Sequence, residues 1–368
     1  MKTLLRTFMI QGACLFGLFL ALSLLAVGAD RAQAARQRGV TLRTVLFVNG
    51  TLGDKSFFDS AARGVKQAHD QLGVAARVVE GGADPTRWQA ALTDLADSGD
   101  YDLIIAGTYT MVPYIEELAR AYPEAHFVVF DAAIDAKACG CRNIHSVVFR
   151  QNEGAYLAGV LAASLADHGL PDLPQRSALG IVGGMQFPVV EDFLVGFRAG
   201  ALATVPHTDI ASQYANSFSD PAAGKEIAKA QFARGAGIVF HVAGASGQGV
   251  NEAALESHRY AIGVDMDQVA LYRHSHPQMA SRIITSVLKN VDVAVLQAIG
   301  EAQRGALVYG KVDSLGLAEG GVSLAMDSDV LRAAPPGVLA TLETAKAGIV
   351  SGSTPVPSAF ETAPGVTR

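Results

Sequence analysis

The sequence predicts an α/β protein in which two lobes, each built on a parallel sheet with helices on both faces, enclose a ligand cleft. Strand-like apolar runs and helix-period runs alternate with little interruption after a short Arg/Gln linker, the pattern of parallel sheets joined by crossover helices. The strands are too many for one comfortable sheet, and a chain of 368 residues has room for two ordinary domains. Several strands end in a polar or glycine-punctuated loop that opens a helix, which is where such sheets place ligands.

The stretch Val45 to Gly64, VLFVNGTLGDKSFFDSAARG, shows all of this at once. Its apolar start suits a buried strand. Gly50-Thr51-Leu52-Gly53 then breaks the strand, Asp54 and Ser56 follow, and Ala61, Val65, Ala68 and Leu72 fall on one helical face. Further strands are expected at Ala76–Glu80, Leu103–Ala106, His126–Phe130, Ser146–Phe149, Ala178–Val182, Ile210–Tyr214, Gly237–Val242 and Tyr260–Val264. Helices are expected between most of them. Asp84–Ser98 and Asp220–Arg234 both open Asp-Pro, with proline in the first turn. Met111–Tyr122 is stopped by Pro123, while Asn152–Asp167 and Pro188–Thr204 carry apolar stripes. Towards the end, Arg282–Leu296 reads as a strand running into a helix, Val312–Gly316 and Gly321–Ala325 as short strands, and Pro335–Gly352 as a last amphipathic helix.

Met1–Ala34 has Lys2 and Arg6, an apolar run ending near Val27, and Ala32-Gln33-Ala34. A basic start, an apolar middle and a small-x-small end make a secretory signal peptide cleaved after Ala34; the alternative is an uncleaved membrane anchor. Cys14 precedes most of the apolar run, which disfavours a lipoprotein site. Cleavage removes Lys2, Arg6, Arg31 and Asp30, so 29 basic and 35 acidic side chains become 26 and 34, a net charge of −8. A surface of that sign argues against nucleic acid, and no other stretch is long and apolar enough to span a bilayer. Cys139 and Cys141, in Cys-Gly-Cys, are expected as two loop thiols or one local disulfide in an exported protein, since a metal site needs more ligands than His145 nearby.

Together and in order, GDKSFFDSAARG, YPEAHFVVFD, FRQNEGAYLAGVLAA, GIVGG before a phenylalanine-rich helix, IVFHVAGASGQGVNEAA, AIGVDMDQ and ITSVLKNVDVAV resemble the basic membrane protein (BMP) family of extracytoplasmic solute-binding proteins, over roughly Val45 to Pro357. The resemblance implies the type I periplasmic-binding fold, two Rossmann-like lobes joined by three crossovers. It puts residues 40–150 plus 285–325 in one lobe and 151–284 plus 326–360 in the other. It also implies a monomer that serves an ABC permease in the inner membrane, with no cofactor, and a ligand that in characterised relatives is commonly a purine nucleoside.

A neutral nucleoside needs an aromatic face and polar partners for its base, and a carboxylate for its ribose hydroxyls. By the resemblance, Asp131 contacts the base edge, Phe57 stacks, Asp265 takes the ribose hydroxyls, Lys289 reaches the sugar from the other lobe, and Gly244 lets backbone approach the ligand. Asp54 and Phe240 complete the candidate set. Each has a plainer reading: either aspartate at a strand end could cap a helix or hold a turn, Phe240 sits in an apolar strand and reads as core, and a lone lysine is usually solvated. One residue departs from the family pattern Ser-Phe-Asn: Phe58 stands where an asparagine amide is usual, which removes polarity from that position.

Two other functions fit parts of the chain. Gly244-Ala245-Ser246-Gly247-Gln248-Gly249 opens a helix after a strand, with Asp265 about twenty residues on, as in a dinucleotide-binding enzyme. Its spacing is G-x-x-G-x-G, however, not G-x-G-x-x-G. A sensor that presents the same solute to a receptor is the other alternative.

Overall fold

The computed structural model describes residues 41–362; the expected leader lies outside the described residues. Among the described residues, twelve strands form two sheets. In chain order they are β1 (Arg43–Val48), β2 (Ala75–Glu80), β3 (Leu103–Gly107), β4 (Phe127–Phe130), β5 (Ile144–Phe149), β6 (Ala178–Gly183), β7 (Ile210–Tyr214), β8 (Ala236–Val242), β9 (Tyr260–Asp265), β10 (Ile283–Lys289), β11 (Val312–Leu315) and β12 (Val322–Leu324). The first sheet runs β11-β5-β4-β3-β1-β2 and the second β12-β10-β9-β8-β6-β7. Every pairing is parallel except β10 with β12. Central strands such as β3, β4, β8 and β9 are buried along their whole length, as strands covered on both faces must be.

The helix Gln151–His168 packs with Leu179, Ile181 and Phe197 in the second lobe, whereas Val291–Gln303 packs with Leu46 and Val128 in the first. The chain therefore crosses between lobes at Arg150, at Asn290 and over residues 316–321. The three crossings are tied together. Arg150 Nη1 donates to Ser314 O at 2.9 Å, Asn290 Nδ2 to Gly320 O at 2.8 Å, and Leu317 N to Glu153 Oε2 at 2.8 Å. These bonds place a polar knot at the hinge side of the cleft.

The lobe limits drawn from the sequence need one correction. β10 pairs with β9, Leu288 opposite Asp265, and β12 pairs with β10. Residues 285–289 and 322–324, expected in the first lobe, therefore belong to the second sheet. Periodicity identifies a strand but not the sheet it joins.

The second lobe is built on a close helix contact. A Cβ at Gly159 would lie 2.0 Å from Phe197 O, and one at Gly200 2.0 Å from Tyr156 O, so the helices Gln151–His168 and Pro188–Thr204 touch backbone to backbone there. Cys139 and Cys141 are joined in a disulfide at the end of a short helical turn.

Candidate functional site

Strand ends from both sheets meet at the cleft, and three of them are conformationally unusual. Thr108, Asp131 and Asp265 follow or end β3, β4 and β9 with φ of 75°, 61° and 64°. Left-handed backbone is uncommon for residues other than glycine and persists where the surroundings hold it. At Asp131 and Asp265 it turns a carboxylate off the sheet edge towards the other lobe.

Lys289 ends β10 beside Asp265 and is 2 % exposed. Its ammonium pairs with Asp131 of the first lobe and stands 5.4, 5.3 and 5.7 Å from the ring centres of Phe57, Phe149 and Phe193. Ring faces attract a cation, so three aromatic rings and one carboxylate surround the ammonium. The expectation that Lys289 reaches the ligand from the lobe opposite Asp265 is corrected: both sit on the second sheet, and Lys289 spans the cleft to Asp131.

Asp265 accepts the Ser56 hydroxyl from the first lobe. Burial pushes its carboxyl up to about 6, against the opposing pull of the Lys289 ammonium and the Ser56 hydroxyl. Burial also raises Asp131, with Lys289 opposing. Two carboxylates thus face a single ammonium, each pressed towards its neutral form by desolvation.

Phe57 opens the helix Phe57–Leu72 and rests 5.5 Å from Phe130 and 5.4 Å from Phe58, the latter edge-on. Phe58 lies over Gly50, where a Cβ would come 2.8 Å from its ring. The Asp54 carboxylate is bonded within its own loop. Its carboxylate accepts Ser56 N at 3.0 Å, Phe58 N at 2.9 Å and Asp59 N at 3.1 Å. It caps the helix that carries Phe57, and burial, opposed by those bonds, raises its carboxyl. Phe240 is corrected too: it is fully buried and stacks on Phe197 at 5.0 Å inside the second lobe. Gly244, with φ of 54°, turns the chain out of β8.

Several site residues escaped the sequence reading. Gln268 Nε2 donates to Lys55 O at 3.0 Å and Gln248 Nε2 to Asp54 O at 3.4 Å, both across the cleft. Tyr109 of the first lobe meets Phe187 of the second edge-on at 5.0 Å. Gln248 and Gln268 lie inside the stretches GASGQG and DMDQ, and Ser56 opens the triplet Ser-Phe-Phe, so their positions were available; Tyr109 and Phe187 carry no distinctive spacing. Beyond Asp131 and Phe149, between the lobes, lies a cavity of about 220 Å³, also lined by Tyr109, Gln151, Val189 and Phe360. That is below the ~300–1,000 Å³ of drug-sized pockets and suits a small solute. Among the described residues, no group of three or more His, Cys, Asp or Glu is placed to hold a metal ion, and no helix is long and apolar enough to cross a membrane.

Two α/β lobes joined by three crossings, with polar groups from both at one cleft, are the architecture of the type I fold of solute-binding proteins. Among solved structures, the chain is similar to a solute-binding protein of an ABC transporter system from Aeropyrum pernix (TM-score 0.73, 27 % identity, 86 % of this chain and 94 % of that one). The fold is shared by another from Conexibacter woesei (TM-score 0.69, 22 % identity, 87 % and 100 %). Residues 41–346 match the Bmp family, described as ABC transporter substrate-binding protein PnrA-like, and the chain belongs to that family. It is 32 % identical over 273 residues to the ABC transporter nucleoside-binding protein BmpA of Lactococcus lactis, covering 72 % of this chain and 73 % of that protein. It is 30 % identical over 278 residues to basic membrane protein A of Borreliella burgdorferi (75 % and 76 %). The family consists of transport substrate-binding proteins, not enzymes, which act outside the cytoplasm and pass a small solute to a permease.

Proposed function

We propose that this protein captures a neutral purine nucleoside, or a closely related purine, after export through a cleaved Met1–Ala34 leader, and presents it to the permease of an ABC importer. The carrying observation is two buried carboxylates from opposite lobes, Asp131 paired with the Lys289 ammonium beside the Phe57 ring and Asp265 accepting the Ser56 hydroxyl. Asp131 accepts ring or exocyclic N–H groups of the base, Phe57 stacks on it, and Asp265 accepts the ribose hydroxyls. Lys289 supplies a donor and offsets one of the two negative charges. The name of the Lactococcus lactis relative agrees with this reading.

The charge balance makes a sharp distinction. A phosphate brought to two carboxylates and one already paired ammonium meets net repulsion, a common basis of selectivity against a near-identical ligand. Calorimetry with inosine, guanosine, adenosine and their 5′-monophosphates tests this. At least one nucleoside binds, and its monophosphate binds at least ~10-fold more weakly, a difference of about 1.4 kcal/mol. Equal affinity for the two, or no nucleoside binding, contradicts the reading.

A further inference from the structure

The end of the chain lines the cavity between the lobes, next to Asp131. After the helix Pro336–Val350, the backbone runs back to the cleft as a strap. Asn152 Nδ2 donates to Val356 O at 3.2 Å and Pro357 O at 3.1 Å, and Asn152 is 1 % exposed. Asp192, 1 % exposed, accepts the Ser358 hydroxyl at 2.6 Å and the Ala359 N–H at 2.9 Å on one oxygen. Its other oxygen accepts Gln151 Nε2 at 2.7 Å.

One buried carboxylate therefore holds two parts of the chamber wall: Gln151 directly, and Phe360 through Ser358 and Ala359. The helix that carries Asp192 adds Pro188 and Val189 to the same wall, while Tyr109 and Asp131 face them from the first lobe. A buried carboxyl group bonded to backbone and side chain at once ties the strap to the second lobe. Phe360 follows these bonded residues directly, beyond the last long helix, and its own N–H donates to the Ser358 hydroxyl at 3.2 Å.

We propose that Phe360 is a specificity-determining residue, an aromatic wall that fixes how far a ligand extends past Asp131, and that Asp192 is the positioning residue that holds it there. This rests on the reading of the cleft as the solute site. A purine whose ring edge is held by Asp131 points its edge substituents into the space that Phe360 bounds. Small rings fill that space, and bulkier ones collide with the wall. Pocket contacts of this kind change selectivity by roughly 10–200-fold.

The test compares wild type, Phe360→Ala and Phe360→Trp by calorimetry, with adenosine, N6-benzyladenosine and indole as probes. Circular dichroism melts check that all three proteins fold. Phe360→Ala should improve N6-benzyladenosine relative to adenosine by tenfold or more, and Phe360→Trp should weaken indole by at least tenfold. If no protein binds adenosine, the purine reading fails, yet the indole comparison still measures the wall. The wall is overturned if both substitutions leave every measured affinity, that of indole included, unchanged. Asp192→Asn should shift the adenosine to N6-benzyladenosine ratio in the same direction as Phe360→Ala; an unchanged ratio removes Asp192 from the account.

Discussion

Lys289→Met should destabilise the ligand-free protein by about 3–5 kcal/mol near pH 7.5, because it leaves a buried carboxylate without its partner. Methionine fills much of the lysine's volume among Phe57, Phe149 and Phe193, so the loss reports charge and not a cavity. The pH dependence has a fixed sign. Lys289 opposes the rise of both Asp131 and Asp265, so its removal raises both further. A carboxyl raised in the folded state costs stability as pH climbs through that raised value, and the cost fades as pH falls below it. The deficit of the variant should therefore shrink towards pH 5. Denaturant titration at pH 5 and 7.5 checks this; a deficit below about 1 kcal/mol that ignores pH would show that the pair is not coupled to folding.

Asp265→Ala should separate ribose recognition from base recognition. Losing a charge-assisted bond to the ribose hydroxyls weakens a nucleoside by ~1.5–3 kcal/mol, roughly ten- to a hundredfold. Hypoxanthine has no diol and should change little. The wild type adds a second signature. Its free Asp265 titrates at about 6, and ribose hydroxyls favour the ionised form that accepts them. Nucleoside affinity should then rise from pH 5 to pH 7.5, with a proton released on binding at the acid end, and Asp265→Ala should lose this slope. Calorimetry in two buffers of different ionisation heat measures it. Equal losses for inosine and hypoxanthine would place Asp265 on the base or in the fold.

The strands and their ends were legible in the sequence because each is a short apolar run closed by a polar or glycine-bearing loop. Asp131 and Asp265 were legible as strand-end residues, and Lys289 only through its place in ITSVLKNVDVAV. What brings them together was not. Lys289 reaches Asp131 because β10 joins the second sheet beside β9, and sheet membership is a long-range choice that periodicity does not encode. The three backbone donors that Asp54 accepts were not legible either, since they depend on how the loop folds back before the helix. Phe240 differs from Phe57 only in environment, mid-strand and not at a loop. Phe360 left no trace in the pattern, since its place depends on Asp192 and Asn152 far away in sequence.

The central claim is that one solute is held by both lobes. Asp131 and Phe57 come from the first and Asp265 and Lys289 from the second, so only a closed cleft makes every contact and ligand must favour it. Small-angle scattering of the mature protein, with and without a nucleoside established as a ligand by calorimetry, measures this directly. The radius of gyration should fall on saturation. A nucleoside that binds tightly while the radius stays the same would mean that one lobe holds it alone.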